Sequence, residues 1–550
     1  MAKNISKYVG KNASTPQTEQ AKSSQVKNNA GGYAFKVSDL EQLRRFLILG
    51  STGGTYYVSE RKLTLDNAKN ILEMFSDVQG GIKAIDEIVK VSDEGLAPKN
   101  DPALFALALA AACDNDMVRK YALDNLNKVA RIGTHLFTFV TYVDDLRGWG
   151  KGLQKAIQRW YDGKGDGLAF QVCKYPQRRV EGCKPWSHRD LLRKVHMKPG
   201  SENMNIVFKY VTKGRDGFTD SEWNALKAND VLKYIWAHEE AKVVTKVSEI
   251  VPLIKKYGLV RESIPNQLFG KEVFEALLEK MPMTAMIRNL NRMTECGLLV
   301  PLNEHVATVV ERLNDEALLE KARIHPFNVL TAMRQYECGE SRNLTWKPIP
   351  AVVDALEDAF YKSFKFVEPT GKRFLLGLDV SGSMSSGINC GSNWYGAPAG
   401  TLSCCEAATA MAMVTARTEK NSHIMGFSTT FKDLGIRAKD TLKEALRKTS
   451  NQNFGGTDCS LPMQWALKNK VPVDVFIVYT DNETWAGNEH PFEALKKYRK
   501  QMGIDAKLIV TAFAGTEFSI ADPSDKGMLD VVGMDSSVPD IIRNFANGSI

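Results

Sequence analysis

The sequence predicts an α + α/β protein, with a HEAT-like run of paired helices followed by a doubly wound α/β domain. Three observations carry this. At 550 residues the chain exceeds what one compact core accommodates. From about Phe35 to Phe364, apolar residues recur at i, i+3, i+4 and i+7 between connections rich in Gly, Pro, Asn and Asp. After Glu368-Pro369-Thr370-Gly371, strongly apolar strands alternate with helices.

The elements follow in order. Residues 1–32 are rich in Ser, Asn, Gln, Thr and Lys with one acid, Glu19, and read as a disordered polar tail. Residues 33–367 are expected to form the helical repeat domain. Its helices are placed at Asp39–Leu49, Leu65–Phe75, Pro102–Cys113, Val118–Ala130, Leu136–Leu146, Leu153–Tyr161 and Asp190–His196. Further on come Ala228–His238, Lys271–Lys280, Met283–Thr294, Val306–Leu313, Phe327–Tyr336 and Val352–Phe364. Paired helices over this length fit a repeat of about 40–47 residues, although no strict internal repeat is visible.

Residues 368–550 are the second domain. Strands are expected at Phe374–Val380, Ile424–Phe427, Val473–Thr480 and Lys507–Phe513, with helices Ser403–Glu419, Lys439–Lys448, Pro462–Lys468 and Phe492–Gln501 between them. Runs such as VDVFIVYT are what a strand buried on both faces requires. A parallel sheet of this kind binds ligands at the carboxyl ends of its strands.

Composition excludes some classes. The chain is 43% hydrophobic and 25% charged, with a net charge of +8. Its most apolar stretch, Ala103 to Cys113, is too short to cross a bilayer and reads as a buried helix. The N-terminus lacks the apolar core of a secretory signal and the arginines of a transit peptide. Nine cysteines with no C-x-x-C pair argue for a reducing compartment, so a cytoplasmic location is expected, with a nuclear pool if the source is eukaryotic. Cys404 and Cys405 read as core packing.

The first strand of the second domain ends in Asp379-Val380-Ser381-Gly382-Ser383. Two more oxygen-bearing loops follow, Gly455-Gly456-Thr457-Asp458 and, after VDVFIVY, Thr480-Asp481-Asn482-Glu483. Two carboxylates, Asp379 and Asp481, with hydroxyls from Ser381, Ser383 and Thr457, suit a hard divalent cation such as Mg²⁺, which keeps several waters. Without a metal the two carboxylates would repel one another. The same residues also serve as ordinary turn and capping residues. The combination resembles the metal-ion-dependent adhesion site of von Willebrand factor A domains. A phosphatase of the haloacid-dehalogenase type would need a second Asp where Ser381 stands.

Between Lys174 and Arg215 lie eleven basic residues against three acidic ones, a net of +8 that equals the excess of the whole chain. Clustering of this kind marks a polyanion partner, although a charge run also serves as a plain solvated face. The RNA-binding candidates here are Lys174, Arg178, Arg179, His188, Arg189, Arg193 and Lys194. Ser187 with Asp190 forms a capping-box pattern, with Trp186 and Leu191 at staple positions. That arrangement would set His188 and Arg189 beside free backbone N–H groups. Lys151 and Lys155, spaced with Arg147 and Arg159 at i, i+4, i+8 and i+12, would line the same groove. Arg288 and Arg292 in MIRNLNRM, and Lys321, Arg323 and His325 in KARIHPF, are further candidates.

Other motifs are absent. GSTGGT (Gly50–Thr55) lacks the Lys of a phosphate-binding loop, and there is no G-x-S-x-G, no H-E-x-x-H and no Cys/His pair at metal spacing. No catalytic residue is assigned.

Both halves together resemble the Ro ribonucleoprotein family of TROVE-domain proteins. The resemblance rests on FLILGSTGGTYYVSERKLTL, THLFTF, WSHRDLLRKVHMKP, KARIHPF, AFYKSFKFVEPTGKRFLLGLDVSGSM, GGTDCSLPM, DVFIVYTDNETWAG and KLIV. It implies a ring of helical repeats closed by a von Willebrand factor A domain. It also implies Y RNA on the outer surface and single-stranded 3′ ends of misfolded non-coding RNAs in a central hole. By motif, His188 in WSHRDLL matches a Y RNA-contacting position, and Lys174 and Arg178 match basic positions of the same surface. The polar N-terminal segment, the loop Ser385–Gly400 and the insertion-like GCKP (Gly182–Pro185) depart from the family pattern.

The leading expectation is thus a non-enzymatic, monomeric RNA-binding protein of RNA quality control, away from membranes. The alternative is a metal-dependent adhesion scaffold that takes an acidic residue of a protein partner at the metal and binds RNA incidentally. A Mg²⁺-dependent nuclease lacks an evident general base beside the metal cluster.

Overall fold

The computed structural model describes residues 14–50, 60–341, 343–364, 367–388, 402–450 and 455–550. Backbone contacts divide the chain into two compact units. One comprises Ala68–Gly95 and Lys99–Ser363, the other Met1–Asn67, Leu96–Pro98 and Phe364–Ile550.

The first unit is helical. Its opening helices are α1 (Val78–Glu94), α2 (Asp101–Ala112), α3 (Asp116–Asp124), α4 (Gly133–Leu146), α5 (Lys151–Asp162) and α6 (Leu168–Lys174). Later come α7 (His188–Val195), α8 (Glu202–Lys213), α9 (Lys233–Val243), α10 (Val247–Tyr257), α11 (Lys271–Leu278), α12 (Met283–Glu295), α13 (Glu304–Asn314), α14 (Pro326–Cys338) and α15 (Pro350–Lys362). Side-chain caps start many of them: Asp77, Asn115, Ser187, Ser201 and Asn303 each accept a backbone N–H of the following turn. α2 is apolar on nearly every side and is buried accordingly, packed against α4.

Several helices escape the expected list. α1 begins Val78-Gln79-Gly80-Gly81, and the glycine pair hides its period. A Cβ at Gly81 would press into the Val118 side chain, so the glycine lets α1 and α3 approach closely. The expected Val118–Ala130 helix breaks at Asn125, which caps α3 before the short turn Leu126–Val129.

The second unit is built on a six-stranded sheet. Its strands are β3 (Phe374–Asp379), β4 (Ser422–Phe427), β5 (Phe431–Asp433), β6 (Val475–Thr480), β7 (Lys507–Ala512) and β9 (Met528–Val532), in the order β5-β4-β3-β6-β7-β9. All pairs are parallel except β4 with β5. β3 sits between β4 and β6, so the chain crosses over it and the carboxyl end of β3 lies at the switch point of the sheet. β3 and β6 are buried along their whole length, as their unbroken apolar runs require. The helix Cys404–Thr418 packs against β3, β4 and β6, and Leu461–Lys468 packs against Pro491–Met502.

The expected disordered tail is corrected. Residues 14–32 are folded; residues 1–13 lie outside the described residues. β1 (Gln25–Lys27) and β2 (Tyr33–Lys36) pair antiparallel, and β2 pairs with β8 (Phe518–Ser519). The composition argument weighs only apolar burial, whereas here polar side chains do the docking. Gln17, Gln25 and Asn28 are all buried and hydrogen-bonded. Residues 33–67 also group with this unit and not with the helical one. Arg45, fully buried on the helix Asp39–Leu49, explains part of this: it reaches Asp530 at 2.6 Å and the carbonyls of Thr516 and Phe518.

Candidate nucleic-acid interface and metal centre

The basic segment folds as a hairpin that runs into a helix. Gln177–Arg178 pairs with Trp186–Ser187, and the insertion-like Gly182–Pro185 lies in the loop between them. α7 then starts on the capping box of Ser187 and Asp190. Trp186 stacks on Trp149, with ring centroids 5.6 Å apart, and Lys194 sits over both rings at 5.2 and 4.4 Å.

His188 is corrected. It does not face solvent but is 2% exposed. Its ring packs against Phe137 and Trp160, and its Nδ1 meets the Tyr161 hydroxyl at 2.8 Å. Burial pushes its pKa down to about 3, so the ring is neutral at physiological pH. The reason is helical spacing. His188, Leu191, Leu192 and Val195 form the buried stripe of α7, while Arg189, Arg193 and His196 occupy the exposed face.

The expected four-residue cationic row is also corrected. Arg147 caps α4 and reaches the carbonyls of Ala112 and Cys113, whereas Lys151, Lys155 and Arg159 belong to α5. A Gly-Trp-Gly break, Gly148 to Gly150, separates the two helices. Arg159 pairs with Asp124, while Lys151 and Lys155 stand exposed.

The other cations divide. Lys174, Arg178 and Arg288 come together on the wall of one cavity of about 730 Å³ within the helical unit. Lys255, Arg261, Lys280 and Arg292 join them, so seven cations face three carboxylates, Asp101, Glu262 and Glu279. Arg178 lies 3.6 Å from Asp101, which offsets part of its charge. Tyr175 adds an aromatic face, and His135 lines the same wall. Burial and the charges of Arg131, Arg178 and Lys164 push His135 down to about 4. A neighbouring cavity of about 470 Å³ shares Thr284, Arg288 and Asn291 and takes in Arg323 and His325. Arg179, Arg189, Arg193, Lys194, Lys151 and Lys155 do not line either cavity. Lys255, Arg261 and Lys280 each sit in an ordinary mixed-charge stretch of sequence, and only the fold collects them.

At the carboxyl ends of β3 and β6, Asp379, Ser381, Ser383, Thr457 and Asp481 are all buried. Asp379 accepts from the Ser381 N–H at 2.9 Å and the Thr480 hydroxyl at 2.7 Å; the Ser381 and Ser383 hydroxyls are 3.2 Å apart. Asp481 accepts from the Glu483 N–H at 3.1 Å. Burial, and for Asp379 the charge of Asp481, push both carboxyls above the usual range. Among the described residues no three His, Cys, Asp or Glu side chains are placed to hold a metal. A cation here would therefore use two carboxylates and neutral hydroxyls. Such a donor set fits Mg²⁺, whose charge would relieve the carboxylate repulsion. Glu483, two residues on, is pushed up to about 7 by burial, and Trp485 in the same loop is 39% exposed.

Comparison with known proteins gives a consistent result. The family described as TROVE domain matches residues 26–338, and that described as Ro60 vWA domain matches residues 373–546. The chain is 38% identical over 607 residues to RNA-binding protein RO60 of Caenorhabditis elegans, covering 97% of this chain and 92% of that protein. It is 40% identical over 541 residues to RNA-binding protein RO60 of Deinococcus radiodurans, covering 97% and 98%. The crystal structure of the Deinococcus radiodurans RO (RSR) protein matches with a TM-score of 0.68 at 39% identity, covering 93% of this chain and 100% of that one.

Proposed function

The chain belongs to the Ro60 family, and from that premise we propose that it is a non-enzymatic RNA-binding protein acting in RNA quality control. The observation that carries this is the cavity in which seven Lys and Arg side chains face three carboxylates. Phosphates of one unpaired strand would supply most of the affinity there, and Tyr175 offers a ring for base stacking. Single-stranded 3′ ends of misfolded non-coding RNAs are the proposed occupants. Y RNA is assigned to the exposed cations outside the cavity, Arg179, Arg189, Arg193 and Lys194, with Lys151 and Lys155. The role is proposed for a monomer in the cytoplasm. Among the described residues no helix is long and apolar enough to cross a membrane.

Asp379, Ser381, Ser383, Thr457 and Asp481 would hold Mg²⁺. The ion would supply a coordination position for an acidic side chain of a protein partner.

A test is fluorescence anisotropy with a labelled RNA hairpin, with and without a single-stranded 3′ extension, over a salt series. Affinity should require the extension and fall by about 0.7 log units per decade of salt for each phosphate neutralised. Salt-insensitive binding, or equal affinity for the blunt hairpin, would overturn the reading.

A further inference from the structure

The N-terminal segment runs across the two loops that carry Thr457 and Asp481. Gln17 is fully buried there. Its Nε2 donates to Asp458 Oδ1 at 2.7 Å and to the Glu489 carbonyl at 2.8 Å. Its Oε1 accepts from the Thr484 hydroxyl at 2.5 Å and from the Gly487 N–H at 3.3 Å. Its own N–H donates to the Gly487 carbonyl, and its carbonyl accepts from Tyr33. One amide side chain thus ties the residue after Thr457 to the segment that follows Asp481.

Three residues further along the strap extend the tie. Asn28 Nδ2 donates to the Thr484 carbonyl at 2.9 Å; Asn29 Nδ2 and the Ala30 N–H donate to the two Glu483 carboxylate oxygens at 2.7 and 3.1 Å. Glu483 in turn donates its N–H to Asp481. The approach is close: a Cβ at Gly32 would overlap the Thr484 carbonyl, and one at Gly487 would overlap Gln17 and Asp458. A fully satisfied buried polar network of this kind fixes one geometry.

We propose that Gln17 is a positioning residue of the metal centre. By bridging Asp458 to Thr484 and Gly487, it holds the two loops at the separation at which oxygens from both can share one cation. Asn29 assists through Glu483. This rests on the metal reading given above.

The experiment is Mn²⁺ titration of the full chain, followed by electron paramagnetic resonance and calorimetry, well below the melting temperature. Wild type should bind one Mn²⁺. Gln17→Met, which keeps the volume but loses the amide, should bind about ten- to a hundredfold more weakly, the usual effect of removing a group that orients a ligand. Amides of residues 481–487 should exchange faster in that variant. Asn29→Ala, at an exposed position that tolerates truncation, should weaken binding in the same direction by a smaller factor. Lys22→Ala breaks the strap's ion pair with Asp522 and serves as the structural control. It should lower the melting temperature and leave Mn²⁺ affinity alone. Wild type that binds no Mn²⁺ would overturn the metal reading and the proposal together. Wild type that binds, with Gln17→Met and Asn29→Ala at unchanged affinity, would overturn the proposal alone. A loss in Lys22→Ala equal to that in Gln17→Met would reduce the strap to general stabilisation and overturn it as well.

Discussion

Replacing Lys174, Arg178 and Arg288 together by Gln removes three of the seven cations on the wall of the larger cavity. Each phosphate neutralised on a single strand contributes about 0.7 to the slope of log affinity against log salt, so three contacts give a slope change of about 2. Relative to 1 M salt, each contact is worth about 0.6 log units at 0.15 M, and losing three weakens binding roughly fiftyfold. Arg178 already faces Asp101 at 3.6 Å, so its share is smaller. With only two effective contacts the loss is roughly fifteenfold and the slope change about 1.4. The control is Lys83, Lys120 and Lys198→Gln, which changes net charge equally at exposed positions outside the cavity. Anisotropy with a labelled single-stranded oligonucleotide from 0.05 to about 0.5 M salt reads both quantities. A cavity triple with an unaltered slope, or a control that loses as much, would refute the assignment of the cavity as the single-strand site.

Other expectations test separate parts of the structure. His188 should stay neutral far below pH 6, because burial holds its pKa near 3. Its ring NMR signals should not move between pH 8 and 5, and a midpoint near 6.5 would mean that the ring is wet. A base whose folded pKa is depressed contributes stability that is fully present above its unfolded value of about 6.5 and is lost as pH falls toward the folded value, by about 1.4 kcal/mol per unit. His188→Ala should cost about 2–4 kcal/mol in urea unfolding of the helical unit, as a large-to-small change in a packed core. Any loss of RNA binding should then be restored by conditions that restore the fold. Arg45→Met should leave Asp530 buried beside an empty partner position and cost about 3–5 kcal/mol; adding Asp530→Leu should recover part of that, measured by a double-mutant cycle in urea. Asp481→Asn should abolish the rise in melting temperature that millimolar Mg²⁺ gives the wild type, while single-strand RNA affinity stays within twofold. An RNA defect of cavity-variant size would show that the two sites are not independent.

The parts of this protein that were legible in the sequence are those whose information is local. Strand β6 announces itself because a strand covered on both faces must be apolar throughout. The five candidate metal residues stand out because each follows a strand or precedes a helix in a short oxygen-rich run. The cavity was half legible: Lys174 and Arg178 belong to a dense basic segment, but Lys255, Arg261 and Lys280 come from helices and turns far along the chain. Charge density along the sequence cannot report a cluster made by folding. Nor does it separate the cavity from the outer surface, since Arg189, Arg193 and Lys194 share that segment yet stand outside the cavity.

His188 and the N-terminal segment both sit deeper in the structure than their local composition implies. His188 was readable, because Leu191, Leu192 and Val195 lie three, four and seven residues on, the spacing of a buried helical stripe. An imidazole suits phosphate contact, but its place in that period puts it in the core. The N-terminal segment was not readable in the same way. A shortage of apolar area implies disorder for a chain with only water as its partner. Gln17 and Asn28 show where it stops holding. A buried amide whose donors and acceptors all find partners on a preformed surface avoids the desolvation penalty that would otherwise expel it. Such a segment carries its folding information in the loops it lands on. That dependence is also why a change in the strap should be felt at Thr457 and Asp481.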